Sequence, residues 1–259
     1  MTHNRCRRTL DRAYGLHKFP RMRLPLPSRF LPVLLLALSV RAGDNAGRTI
    51  PGWGRVIEPD GDCSITAGHG TVTIAVPGTT HDLSSYHRIY KKRNAPRILQ
   101  EVGGDFTVQV QVSGTFEPGK DGTLPGAHPF NGAGLLLWDN DENYLRLERN
   151  VWTMPHGEHS CYLPLFEYWK DDKDRTQGAP SAKPFFQGRS AYLRLTRQGN
   201  QIRAAVSNDG VDWLKTGPVT VEFPQKINVG IDAINTSKQP FTVEFAQFKL
   251  VSEKLSLNR

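Results

Sequence analysis

The stretch FNGAGLLLWDNDENYLRLERN, residues 130–150, decides the fold. It reads as two β-strands joined by an Asp/Asn-rich turn at DNDEN, 139–143. In the second strand Leu145 and Leu147 alternate with Tyr144, Arg146 and Glu148. A strand has period two, so one face is built for a core and the other carries an aromatic ring, a guanidinium and a carboxylate. The hairpin is therefore a fold signal and a candidate binding surface together.

Other segments repeat the pattern on either side. CSITA (63–67) and TVTIAV (71–76) flank a Gly-His-Gly turn, and DFTVQVQV (105–112) alternates without a break. CYLPLFEYW (161–169) is a further strand inside a long Pro-, His-, Lys- and Asp-rich excursion, 150–190. AYLRLTRQ (191–198) and QIRAAVS (201–207) meet across Gly199-Asn200, a hairpin signal. INVGIDA (227–233) and FTVEFAQFKLV (241–251) complete the set. The apolar parity of the last run changes between Phe245 and Phe248, which predicts a β-bulge near Ala246-Gln247. No segment after residue 42 has the period of an amphipathic helix. The expectation is an all-β, antiparallel two-sheet sandwich over 43–259, as a single domain with one long loop insertion.

The formal charge of +8 is concentrated at the start. Residues 1–42 hold nine Lys/Arg and one acid, leaving 24 of each sign from totals of 33 and 25. That balance gives no argument for nucleic acid or an anionic membrane as partner. The basic leader precedes FLPVLLLALSV (30–40) and Val40-Arg41-Ala42, the layout of a secretory signal peptide, with Met22 an alternative start. The apolar run is short for a bilayer span, so the expected location is secreted, periplasmic or cell-envelope, with no membrane partner after cleavage. Cys63 and Cys161 remain after such a cleavage. Export permits a disulfide between them, and their spacing does not decide it.

FNGAGLLLWDNDENYLRLER, YLRLTRQGNQIRAAVSNDGVDW and VGIDAINTSKQPFTVEFAQFKL together resemble a concanavalin A-like lectin/glucanase sandwich. More narrowly, they are similar to a bacterial domain-of-unknown-function family related to the fungal regulation-of-enolase protein. The resemblance runs over most of 52–251. It implies a curved jelly roll, found attached to glycosidases or alone after a signal peptide, with no agreed catalytic set. It also implies that a structural calcium near the first strands is worth testing, with Asp60 and Asp62 of PDGDC as candidates. The glucanase signature of two Glu flanking an Asp on one strand is absent; Glu148 stands on its hairpin with Arg146 as its alternate neighbour.

The candidate ligand-binding residues are Tyr144, Arg146, Glu148 and Arg194, with Tyr192 and Trp138 as stacking platforms. Tyr192, Arg194 and Thr196 repeat the Tyr/Arg pattern, and would join the first group if the two strands shared a sheet. Sugar rings offer C–H faces to aromatics and hydroxyls to planar donors and carboxylates. The plain alternative is a solvated face with cross-strand Arg–Glu pairs. DNDEN lacks the spacing of a calcium loop and reads as a turn. His156, His159 and Cys161 give an H-x-x-H-x-C spacing without a second ligand pair. SNDGVDW (207–213) reads as a structural turn. No nucleophile elbow, phosphate loop or dinucleotide fingerprint occurs. The leading expectation is an exported, non-catalytic module binding a glycan or another small ligand. A glycan hydrolase or lyase on the same fold, and an envelope interaction module, are the alternatives.

Overall fold

The computed structural model describes residues 47–83, 92–126, 128–153, 160–175, 186 and 188–252, with backbone alone for 160–165. Among these residues the structure is all-β. The strands are β1 (Thr49–Ile50), β2 (Gly54–Ile57), β3 (Ser64–Gly68), β4 (Thr71–Val76), β5 (Arg97–Gly103), β6 (Phe106–Gly114), β7 (Phe130–Asn140) and β8 (Asn143–Thr153). They continue with β9 (Ser160–Lys170), β10 (Lys173–Asp174), β11 (Ser190–Gln198), β12 (Gln201–Ser207), β13 (Leu214–Lys215), β14 (Val219–Thr220), β15 (Lys226–Asn235) and β16 (Phe241–Ser252).

Two antiparallel eight-stranded sheets form. The first has the order β1-β2-β5-β15-β7-β8-β9-β10. The second runs β13-β12-β11-β6-β16-β4-β3, with β14 paired to β12. Strict alternation explains the layering. Val108, Val110 and Val112 of β6, Leu193 and Leu195 of β11, and Val72, Ile74 and Val76 of β4 enter one core. Leu135 and Leu137 of β7, Leu145 and Leu147 of β8, and Val229 and Ile231 of β15 enter it from the other sheet. Each such side chain, removed from water, contributes ~1.5–3 kcal/mol.

The predicted bulge is present. The β16–β6 register shifts between Ala246 and Lys249, and Gln247 has φ 52°. The extra residue moves the inward parity from Phe245 to Phe248, whose ring stacks on Trp53 with centroids 5.0 Å apart.

Two features differ from the sequence reading. β5 is a strand that apolar alternation does not reveal, because RILQEVG places Ile98 and Leu99 side by side. Ile98 joins the main core and Leu99 a second apolar cluster on the opposite face of the first sheet. The 150–190 excursion also starts later than read, since β8 runs to Thr153, while the strand expected within it at 161–169 is β9, Ser160–Lys170.

Candidate functional site

The non-core face of the first sheet is built in cross-strand rows. One row is Trp138, Tyr144 and Trp169, directly opposite one another on β7, β8 and β9. Their rings stack, with centroids 5.2 Å apart for Trp138–Tyr144 and 6.0 Å for Tyr144–Trp169. Arg97 lies over Trp138 at 4.5 Å and Arg93 over Tyr144 at 5.4 Å, both cation–π distances. Tyr144 donates its hydroxyl proton to the Leu83 carbonyl at 2.5 Å. Burial pushes its pKa up, so it stays a donor.

The next row is Leu99, Gly230, Leu136, Arg146 and Glu167. Arg146 donates through Nε to Glu167 Oε2 at 2.9 Å and places Nη2 2.8 Å from the same oxygen. Its Nη1 donates to Glu148 Oε1 at 3.3 Å. Burial alone lowers the pKa of Arg146, but Glu148 and Glu167 raise it further, so the guanidinium stays charged. Trp169 Nε1 also donates to Glu167 Oε2, at 3.0 Å, which ties the aromatic row to the charged one.

The third row is Arg97, Asp232, Gly134 and Glu148. Gly134 carries no side chain, so Asp232 and Glu148 face one another across it and their carboxyl groups influence each other. Both are fully buried. Neither Asp232 oxygen, nor Glu148 Oε2, has a donor among the other described residues. Two buried carboxyl groups that feel each other favour holding a proton, since both charges together are costly away from water. Burial drives the Glu148 pKa well up, against the opposing pull of Arg146, and Asp232 is raised by burial as well.

Of the residues predicted from sequence, Trp138, Tyr144, Arg146 and Glu148 come together here. They are buried and not solvated: Tyr144 and Glu148 are 0% exposed and Arg146 3%. Tyr192 and Arg194 do not join them, because β11 lies in the second sheet and turns these side chains away from the core on the opposite side of the sandwich. Arg194 instead lies 3.8 Å over the Trp213 ring and donates to Gln109 Oε1 at 3.0 and 2.6 Å.

Sequence reasoning missed the roles of Asp232, Glu167, Trp169, Arg97 and Gly134. Asp232 and Glu167 stand at off-core parity in their strands, which is a legible signal. Their partners depend on strand order, which is not.

SNDGVDW is a structural turn, as read. Asp209 Oδ1 accepts from the Val211 and Asp212 N–H groups at 2.8 and 2.9 Å, and Gly210 has φ 80°. His156, His159 and the Cys161 side chain lie outside the described residues. The question of a Cys63–Cys161 disulfide falls outside them too, and the Cys63 sulfur lies against His81 and Asp62. Asp60 accepts from Asn94 Nδ2 at 2.5 Å, while Asp62 gathers with Glu58, Cys63 and His81.

No protein family matches the chain by sequence, and no curated protein does. Solved structures do. A functionally unknown protein from Saccharomyces cerevisiae aligns with TM-score 0.59 and 18% identity, over 78% of this chain and 97% of that one. The GH43 protein BlXynB from Bacillus licheniformis aligns with TM-score 0.53 and 15% identity, over 76% of this chain. The chain spans 35% of that protein's length. At these identities the likeness concerns the fold alone, an antiparallel two-sheet β-sandwich.

Proposed function

We propose that this chain is an exported carbohydrate-binding module that takes its ligand on the non-core face of the first sheet. The observation that carries the reading is the set of buried carboxyl oxygens on Glu148 and Asp232 left without donors. A sheet face serving only as scaffold has no need of them, because buried polar groups without partners are costly and cluster at functional sites. The aromatic row beside the charged row adds the two contacts that sugars require, stacking surface and fixed hydrogen-bonding groups. The basic leader and its apolar run support export. The GH43 neighbour shows that a sandwich of this shape occurs within a glycoside hydrolase.

The Glu167 side chain is 19% exposed, so this margin of the face is open to solvent. Glu167 and Trp169 meet the ligand there, and Trp138, Tyr144, Arg146 and Glu148 fix them from beneath. A second reading, a glycan hydrolase or lyase, draws support from the raised pKa of Glu148 with a second carboxyl beside it. The full burial of both groups weighs against it, since a glycosidase places its substrate between its two carboxylates. Affinity gels with a polysaccharide panel, run beside a reducing-end assay, test both. Retardation without new reducing or unsaturated ends supports the module; product formation lost in Glu148→Gln supports the enzyme.

A further inference from the structure

The side-chain donors of the first-sheet face are engaged inside the protein. Arg146 directs Nε and Nη2 at Glu167 Oε2 and gives Nη1 to Glu148 Oε1. Trp169 Nε1 goes to the same Glu167 oxygen, and the Tyr144 hydroxyl to the Leu83 carbonyl. Arg93 gives Nε to the Asp141 carbonyl at 2.8 Å, Nη1 to the Lys92 carbonyl at 3.0 Å and Nη2 to Asp172 Oδ1 at 2.9 Å. Arg97 keeps an Nε without an acceptor, but that nitrogen is buried and the guanidinium lies over the Trp138 ring. Its strand, β5, is also four steps from β9, roughly 19 Å at the spacing of neighbouring strands.

Acceptors, in contrast, are left over. Glu148 Oε2 and both Asp232 oxygens lie buried without a donor among the other described residues. Glu167 is divided between inside and outside. Its Oε2 faces the N–H groups of Arg146 and Trp169, whereas its Oε1 has no donor among the described residues. An ionised carboxylate only accepts hydrogen bonds, so Oε1 is a charged acceptor presented to whatever meets this margin.

Strand parity adds a second carboxylate at the same edge. Asp174 of β10 stands opposite Trp169 and so shares its face. Lys173 and Lys170 stand opposite one another at the alternate parity, and Lys170 Nζ lies 3.7 Å from Asp171 Oδ1 and 3.8 Å from Glu222 Oε2. The ligand side of the edge therefore carries Glu167 and Asp174, and the neighbouring lysines belong to the other side. A uronate, sulfate or phosphate on a ligand would set acceptor against acceptor and like charge against like. A sugar hydroxyl would donate.

We propose that the Glu167 margin selects uncharged, hydroxyl-rich glycans over acidic ones, with a sugar hydroxyl donating to Glu167 Oε1. This selectivity rests on the reading of the face as a carbohydrate site and adds the charge class of the ligand. It gives Glu167→Gln a specific consequence. Arg146 and Trp169 require an acceptor at the Oε2 position, so the Gln carbonyl oxygen settles there and its NH2 group takes the open position. The outward atom changes from acceptor to donor while the side chain keeps its shape.

The test is affinity gel electrophoresis of the purified full chain with xylan, mannan, galactan and polygalacturonate. The last is run beside its carboxyl-reduced form, which keeps the polymer and loses the charge. The expected result is retardation by at least one neutral polymer, with polygalacturonate at least ~10-fold weaker. In Glu167→Gln the neutral constant falls and the neutral-to-acidic ratio narrows. Asp174→Asn, at an exposed position, narrows the ratio as well. Misfolding of a variant would lower both constants alike and leave the ratio as it was. Tighter retardation by polygalacturonate than by every neutral polymer overturns the selectivity and leaves the carbohydrate reading standing, as does a ratio unchanged in both variants. No retardation by any polymer overturns the carbohydrate reading itself, and the selectivity with it.

Discussion

Glu148 and Asp232 face one another across Gly134 and act on each other electrostatically, although their strands are not neighbours in the sheet. Adjacent strands stand ~4.8 Å apart, so these residues start from backbones about twice that distance apart. They can face one another because the intervening position has no side chain. A Cβ at Gly134 would lie 2.0 Å from the Leu147 carbonyl oxygen and 2.7 Å from the Glu148 Cα, both backbone atoms that cannot yield cheaply.

Gly134→Ala is therefore expected to destabilise by at least ~2–3 kcal/mol, the upper range for overpacking, and to separate the two carboxyl groups. The denaturant midpoint of the purified variant checks this. A change of under about 0.5 kcal/mol, the scale of an ordinary surface substitution, would show that the sheet relaxes freely there.

The raised carboxyl pair fixes a pH dependence. Burial raises both folded pKa values above the ordinary 4.5 of Glu148 and 3.8 of Asp232. The folded state then holds protons that the unfolded state releases. The stabilisation is complete below the ordinary carboxyl range and is lost as pH rises through the raised values. Urea midpoints measured from acid to neutral pH should fall over that window. Glu148→Gln, which removes one of the two titrating groups, should flatten the slope; an unchanged slope would contradict the raised carboxyl pair.

Arg146 is the cation between Glu148 and Glu167. Arg146→Met leaves two carboxylates without it and is expected to cost ~3 kcal/mol, near the lower end for breaking a buried ion pair, since Glu148 can respond by holding its proton. Arg146→Lys should recover part of the loss but not the two-sided geometry, because an ammonium lacks the planar fork. Thermal unfolding of both variants orders them.

Arg194 and Trp213 form a separate cation–π contact on the opposite side of the sandwich. Arg194→Ala should cost about 1 kcal/mol or less and leave ligand binding unchanged. Reduced binding in this variant would relocate the site to the second sheet.

The fold was legible because Leu145/Leu147, Val108/Val110/Val112 and Leu193/Leu195 alternate without exception, and period two assigns a face whatever the strand's neighbours are. The bulge was legible for the same reason, as a break in parity between Phe245 and Phe248. Strand order was not, because it depends on contacts between segments distant in sequence. Tyr144, Arg146 and Glu148 were thus found together, while Tyr192 and Arg194 were grouped with them wrongly. Asp232, Glu167 and Trp169, supplied by β15 and β9, could not be paired with Glu148 and Arg146 from spacing alone. Burial was also misread: Tyr144 and Glu148 look solvated on a two-faced strand, but Leu83, Ala95 and Leu99 add a second apolar cluster on that face.

The most direct measurement is affinity gel electrophoresis against a panel of neutral and acidic polysaccharides, comparing wild type with Glu167→Gln and Arg194→Ala. Glu167→Gln keeps the shape of the margin and removes its charge. Binding to the first-sheet face predicts retardation of the wild type by at least one polysaccharide. It predicts a retardation constant at least ~10-fold weaker in Glu167→Gln, the loss of roughly one charge-assisted contact, and no change in Arg194→Ala. No retardation by any polysaccharide, or retardation that survives Glu167→Gln and is lost in Arg194→Ala, would contradict it.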